Sequence, residues 1–320
     1  MSKMFTDGNR VALNGATMGT RWSALFFTNT DTPALHRALQ AAVDEVDAQM
    51  STWKPDSDLM RLNAAPQGEW VALPAHLCRV LRLGLEIGRA SGGAFDIGMG
   101  DSVAAWGFGP ETASAAAIHA AASTERPPAF TTLELAERRI RKTAPIRLDL
   151  NGIAKGYGVD RLAETLLAHG IRDALVGIDG EMRALGLRPD GEAWTIAIEA
   201  PETGRRSPQS LLALQDAAVA TSGDYRHWVE THGRRLSHTM DPQRGMPLAS
   251  SPASVTVVAR SCAEADAWAT ALMVLGPDRG IALAREHGFD ALFLMRGAEG
   301  GVTAQGTGGL FPVAPPLHAS

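Results

Sequence analysis

Apolar residues recur at helical spacing from Thr32 to Met50, where Leu35, Leu39, Val43 and Val46 share one face. Pro33 stands where a first helical turn tolerates it. A second periodic run, about Pro74 to Ala90, carries Leu77, Val80, Leu81, Leu83 and Ile87 and stops at Ser91-Gly92-Gly93. A third, Lys155 to His169, turns Val159, Leu162, Leu166 and Leu167 inward and ends at Gly170. Ser261 and Glu264 form a capping box that opens a helix through Leu275, and a further helix spans about Asp278 to Glu286. Short apolar or alternating runs predict strands at Ile146–Leu150, Asp173–Ile178, Ser254–Ala259 and Ala291–Met295. Met182 to Leu187 and Trp194 to Glu199 read as an antiparallel pair joined by the turn Pro189-Asp190-Gly191. The mixed order of strands and helices predicts an α+β fold, and no fixed-period repeat or linker divides the chain. Residues 110–130, Ala-rich and then closed by Pro127-Pro128, read as a surface insertion. The Gly-rich stretch from Gly297 to Gly309 predicts a loose tail over 297–320.

Composition narrows the classes. The chain has 320 residues, 45% hydrophobic and 20% charged, with a net charge of −5. A mildly acidic balance argues against generic binding to nucleic-acid phosphates. Two cysteines, Cys78 and Cys262, make neither a disulfide framework nor a Cys-based zinc site. No run approaches the roughly 18 apolar residues of a membrane span. The first apolar run, Ala24 to Phe27, falls short of the about 7–15 residues of a secretory signal. The expectation is a cytoplasmic protein with a cytoplasmic partner and no membrane insertion.

Chemistry concentrates in a few segments. Gly107-x-Gly109 lacks a third glycine, so no dinucleotide fingerprint is present, and there is no Walker loop or Gly-x-Ser-x-Gly elbow. Asp149-Leu150-Asn151-Gly152 passes into a helix carrying Lys155, one of four lysines in the chain. Amides at a helix start suit an anion, and Gly152 permits close backbone approach; the same pattern also fits a tight connection with a solvated lysine. Asp266 and Thr270, at i and i+4, share a helix face. A carboxylate with a hydroxyl is a hard-oxygen pair suited to Mg²⁺, although a Thr that bonds back to a helix carbonyl has the same spacing. His238 follows a short strand and precedes the turn Asp241-Pro242-x-x-Gly245. It reads either as a general base or as a histidine that fixes the turn. Trp53 and Phe95 lie at helix ends, where they can stack on a flat ring or fill the core.

In order along the chain, these segments resemble the ApbE family, the FAD:protein FMN transferases. The match runs through Met18-Gly19-Thr20, Met50 to Ser57 (Met-Ser-Thr-Trp-Lys-Pro-Asp-Ser), Leu59 to Asn63, Ser91 to Asp96 and Trp106 to Gly109. It continues through Asp149 to Arg161, Val219 to Tyr225, His238 to Gly245 and Ala265 to Thr270. The resemblance implies an α+β fold related to the T-fold, two lobes packed as one compact unit over residues 1–320, with the cofactor between them. It implies transfer of FMN from FAD to a Thr or Ser hydroxyl of an acceptor protein, with release of AMP and a need for Mg²⁺. Met18, Trp53, Ala94, Phe95, Asp96, Asp149 and Lys155 fall where the family binds FAD. Gly152 (through its carbonyl), Asp266 and Thr270 fall where it holds the metal, and His238 matches its base. Four positions depart from the pattern: Ile97-Gly98 follow Asp96 in place of Pro-Thr, Trp53 replaces a frequent Tyr, and Thr239 replaces an aliphatic residue. An FAD pyrophosphatase and a flavin-binding protein without turnover are the alternatives.

Overall fold

The computed structural model describes residues 9–201, 207–224, 228–231, 234–248, 252–297 and 301–312. At its centre lies an eight-stranded antiparallel sheet. Its strands run, in spatial order, Asn9–Thr17, Thr20–Thr28, Ala174–Ile178, Glu181–Leu185, Ala218–Gly223, Ser254–Ala259, Asp290–Arg296 and Val302–Thr307. Helices cover one face. Thr32–Met50 and Ala154–Ala168 pack over Trp22, Phe26, Val176 and Ile178. Ala75–Ala90 and Cys262–Glu286 pack over Val255, Val257 and Phe293. The opposite face carries the hairpin Trp194–Glu199 and Pro208–Leu214, which inserts Trp194, Ile196, Ile198, Leu212 and Leu214 between itself and Val219, Val258 and Leu294. Helices on one side of an antiparallel sheet make the fold α+β. Among the described residues, no helix is long and apolar enough to cross a membrane.

The periodic segments formed the helices expected of them. Thr32–Met50 buries Leu35, Leu39, Val43 and Val46. Ser261 and Glu264 complete the capping box, and Gly276, at φ 72°, kinks the following helix between Leu275 and Asp278. The differences lie where pairing, not periodicity, decides. Ile146–Leu150 joins no sheet among the described residues. Its partners are the side chain of Asn63, which receives the Leu148 N–H and donates to the Leu148 carbonyl, and the backbones of Ile97 and Gly100. Trp194–Glu199 does not pair with Glu181–Leu185. The turn at Pro189–Gly191 is present, with Gly191 N–H on the Arg188 carbonyl, but it hands the chain to the far face of the sheet, where the strand pairs with Pro208–Leu214. The stretch expected to be a loose tail contains Val302–Thr307, which completes the sheet against Asp290–Arg296. Within residues 110–130, the helix Ala115–Ser123 buries Ala121 in a small cluster with Met99, Trp106 and Met240.

Candidate functional site

A cleft of about 1380 Å³ opens beside the helix face of the sheet. All eleven residues singled out from the sequence line it. Met18, Trp53, Ala94, Phe95, Asp96, Asp149, Gly152, Lys155, His238, Asp266 and Thr270 come from six separate stretches of chain and meet there.

The floor is built by two helices that approach closely. Gly156, in the first turn of Ala154–Ala168, lies so near the start of Cys262–Glu286 that a Cβ would sit 2.3 Å from the Cys262 carbonyl oxygen. This contact lets the Gly156 N–H donate to Asp266 Oδ2 at 3.1 Å. One turn earlier, a Cβ at Gly152 would lie 3.2 Å from Thr270 Oγ1 and 3.2 Å from the Phe95 ring. Gly152, Asp266 and Thr270 are therefore brought to one point although 110 residues and more separate them. The Thr270 hydroxyl hydrogen-bonds with Ser222 Oγ at 3.1 Å, across to the central sheet. The Thr270 side chain thus faces the sheet, and this tells against the back-bonded alternative.

Charge around this point is ordered. Asp266 is buried, and its carboxyl is pushed up to about 7 by burial and the Glu181 charge, while Lys155 and the Gly156 N–H pull the other way. Burial alone would lower the Lys155 ammonium, but Glu181, Asp266 and Asp179 outweigh it and hold it above its usual range. Its Nζ lies 2.7 Å from Glu181 Oε1 and 3.8 Å from Asp179 Oδ2. Asp149 is pushed up to about 6 by burial, against the Asn151 N–H and Arg147; Asn151 donates to both of its carboxylate oxygens.

The donor set fits a hard divalent cation. It offers one buried carboxylate, one hydroxyl and a glycine backbone held where no side chain intervenes, which are the oxygen donors Mg²⁺ takes while keeping waters and substrate oxygens. Among the described residues, no group of three or more His, Cys, Asp or Glu side chains converges as a metal cluster. A set with a single carboxylate does not require one.

The rim is less polar. Met18 stands at the tip of the hairpin joining the first two strands, at φ 46°, with Gly19 at φ 72°. Strain of that kind in a non-glycine residue collects at functional sites; here it aims Met18 at Gly158, whose Cβ would lie 3.1 Å from Met18 Cε. Trp53 is 63% exposed at the mouth, so it is no core residue. Phe95 is buried and tied by its N–H to Ser91 Oγ; it serves the core and the cleft wall together. The Asp96 carboxylate accepts the N–H groups of Gly98 and Ala129 and is raised by burial despite them, so it pins the loop and also lines the cleft. His238 is half-buried, with Phe108 edge-on at 6.4 Å. The turn that follows closes through Gly245 N–H on the Asp241 carbonyl.

The sequence reading missed Glu181, Asp179 and Ser222. Glu181 opens a strand 26 residues beyond Lys155, and no local pattern links them. Ser222 lies inside the segment Val219–Tyr225 that carried part of the resemblance, and only the pairing with Thr270 gives it a role.

Comparison with known proteins identifies the family. A profile for the ApbE family matches residues 18–293. The chain is 37% identical over 298 residues to the FAD:protein FMN transferase of Vibrio cholerae, covering 91% of this chain and 89% of that one. It is 36% identical to the corresponding protein of Klebsiella pneumoniae, over 90% and 85%. Among solved structures, the flavin transferase ApbE from Vibrio cholerae superposes with a TM-score of 0.84 at 34% identity, covering 94% of this chain and 97% of that one. The flavinyl transferase ApbE of Pseudomonas stutzeri, in its apo form, superposes with 0.83 at 37% identity, covering 94% and 95%. With the family match spanning nearly the whole described chain, and the cleft assembled from the segments that carry the resemblance, this protein belongs to the ApbE family.

Proposed function

We propose that this chain is an FAD:protein FMN transferase, moving FMN from FAD to a Thr or Ser hydroxyl of an acceptor protein with release of AMP and dependence on Mg²⁺. The observation that carries the reading is the meeting of Gly152, Asp266 and Thr270 beside Lys155, in a cleft that also contains His238. Phosphoryl transfer demands charge neutralisation and in-line placement more than covalent help from the protein, and this cleft offers the first in concentrated form.

In this reading Asp266, Thr270 and the Gly152 carbonyl would hold Mg²⁺, which supplies charge neutralisation at the pyrophosphate when bound. Lys155, kept cationic by Glu181 and Asp179, draws the pyrophosphate toward the floor. Met18, Trp53, Ala94 and Phe95 offer apolar and aromatic surface to the flavin and adenine rings, with Asp96 and Asp149 supplying polar contacts. His238 takes the proton of the acceptor hydroxyl as its oxygen bonds to the phosphorus of the FMN half. The bond from that phosphorus to the bridging oxygen breaks, and AMP leaves with the electron pair.

The test is incubation with FAD, Mg²⁺ and protein fractions of the source cell, followed by intact mass. An acceptor heavier by one FMN, with AMP in solution, is expected; FMN and AMP without a modified protein would make the chain a pyrophosphatase. Asp266→Ala should lose most turnover while keeping its fold.

A further inference from the structure

Among the described residues, Leu59 to Asn63 is the one stretch of the resemblance that does not line the cleft. It belongs to the short helix Asp58–Ala64, which buries Leu59 and Leu62 in the core. Both ends of this helix are tied down. At the start, Ser57 Oγ accepts the Met60 N–H and donates to the Ser51 carbonyl, beside Trp53 at the cleft. At the end, the Asn63 carbonyl, one of those a helix leaves without an internal partner, accepts from Lys142 Nζ at 2.8 Å. Lys142 is buried, and this carbonyl is the one partner of its ammonium among the described residues.

The Asn63 side chain brings both of its polar groups to a single residue 85 positions away. Its Oδ1 accepts the Leu148 N–H at 2.7 Å, and its Nδ2 donates to the Leu148 carbonyl at 2.9 Å. The residues on either side of Leu148 bond elsewhere: the Arg147 carbonyl accepts from the Gly100 N–H, and the Asp149 N–H donates to the Ile97 carbonyl, both at 2.9 Å. Successive residues thus bond to alternate partners, as they do inside a sheet, and a side-chain amide takes the place of one neighbouring strand. Leu148 is fully buried. It stands directly before the turn in which the Asp149 carboxylate accepts the Asn151 N–H and the Leu150 carbonyl accepts the N–H groups of Ile153 and Ala154. The turn that delivers Asp149 and Gly152 to the cleft therefore departs from a residue that Asn63 fixes.

We propose that Asn63 is a positioning residue for the metal end of the cleft: by pairing with both backbone groups of Leu148, it sets the Asp149–Gly152 turn against Asp266 and Thr270. The proposal rests on the reading in which Gly152, Asp266 and Thr270 hold Mg²⁺. Partners one step removed from a metal's ligands are worth about 10–100-fold in metal affinity. Without the amide, two buried backbone groups lose their partners, and the turn spends part of its time away from Thr270. Bound Mg²⁺ restores it. The loss therefore falls on metal affinity, scaled by the fraction of molecules with the turn in place, and not on the rate at saturating metal.

The test compares Asn63→Leu, similar in size but without the amide, with Leu35→Ala, a core substitution at the end of Thr32–Met50 away from the cleft. Both should lower the melting temperature. Calorimetric titration of the FAD-free protein with Mg²⁺ should give a dissociation constant about ten-fold or more above wild type for Asn63→Leu, and one close to wild type for Leu35→Ala. At saturating Mg²⁺ and FAD, FMN transfer by Asn63→Leu should return close to the wild-type rate. Unchanged Mg²⁺ affinity in Asn63→Leu, or an equal loss in Leu35→Ala, would overturn the positioning role. Should Asn63→Leu not fold, the same titration of Asn63→Ala decides, since the vacated space admits water to the Leu148 groups: weaker Mg²⁺ binding is again expected, and wild-type affinity would overturn the role. A wild-type protein that binds no Mg²⁺ would instead sink the metal reading itself, and this role with it.

Discussion

The backbone N–H of Gly156 donates to Asp266 Oδ2 at 3.1 Å and so fastens the first turn of one helix to the candidate metal carboxylate on another. The bond exists because residue 156 has no side chain: a Cβ there would meet the Cys262 carbonyl oxygen at 2.3 Å and Asp266 Cβ at 2.8 Å. Backbone on both sides leaves no flexible group to yield.

Gly156→Ala should accordingly force the two helices apart. Overpacking of this kind costs about 1–3 kcal/mol, visible as a lower denaturant midpoint. The separation also removes Asp266 from Gly152, so the Mg²⁺ concentration for half-maximal activity should rise. A variant with wild-type midpoint and wild-type Mg²⁺ response would show that this contact does not set the site.

The raised carboxyls predict a pH signature in the metal-free protein. Asp266 titrates at about 7 and Asp149 at about 6 in the fold, against about 3.9 in an unfolded chain. Between these values the folded state holds protons that the unfolded state has released. The contribution of both groups to stability is therefore full at low pH and is lost as pH rises through about 4 to 7. Asp266→Asn removes the larger share of this loss. Without metal, the variant should gain in melting temperature relative to wild type as pH goes from about 5.5 to about 8. Mg²⁺ must displace any proton from Asp266, so the melting shift it gives wild type should be greater at the higher pH. Parallel pH curves for the two proteins would refute the assignment.

A second carboxylate holds the same helix from behind. Asp160 is buried and accepts the N–H groups of Cys262 and Ala263 at 2.9 and 3.0 Å, with Arg183 Nη1 at 2.6 Å. Removing one member of a fully buried pair costs about 3–5 kcal/mol; Arg183 keeps some solvent contact, so the cost here falls toward or below the low end of that range. Asp160→Ala should lower stability on that scale and Asp160→Asn by less, since an amide oxygen still accepts from the helix start. Chemical denaturation of both variants measures the difference.

What could be read before the fold was known follows a physical division. Helices such as Thr32–Met50 declare themselves because one face must be apolar every three or four residues. The cleft residues were recognisable because their short segments follow one another in the order of the ApbE family; Met18 and Ala94 carry no chemistry that marks them by themselves. Pairing across the chain leaves no such local mark. Ile146–Leu150 looks like a strand, yet its partners are the side chain of Asn63 and single backbone bonds to Ile97 and Gly100. Val302–Thr307 is polar and Gly-flanked because it is an outer strand with four exposed positions, and so it resembles a tail. Glu181 was invisible because its meaning is Lys155, which reaches it only when the helix after Gly152 lies across the strand it opens.

His238 separates two views of the chemistry. As base for the attacking hydroxyl, it acts after FAD is bound, and the groups that grip FAD in this reading lie elsewhere: Lys155 on the floor, Met18, Trp53 and Phe95 at the walls. General-base help is worth about 10²–10⁴ in rate. His238→Ala should lower single-turnover FMN transfer at saturating FAD by that order and leave FAD affinity, measured by titration, nearly unchanged. His238 is half-buried with Phe108 edge-on at 6.4 Å, so the melting temperature of the variant is measured beside its activity, and one close to wild type assigns the loss of transfer to chemistry. If the residue instead only holds the Asp241 turn or the flavin, affinity and transfer would fall together. A loss of transfer explained wholly by weaker FAD binding would remove His238 from the proton path and leave the acceptor hydroxyl to another acceptor of its proton, with Asp149, raised to about 6 and lining the same cleft, as the next residue to substitute.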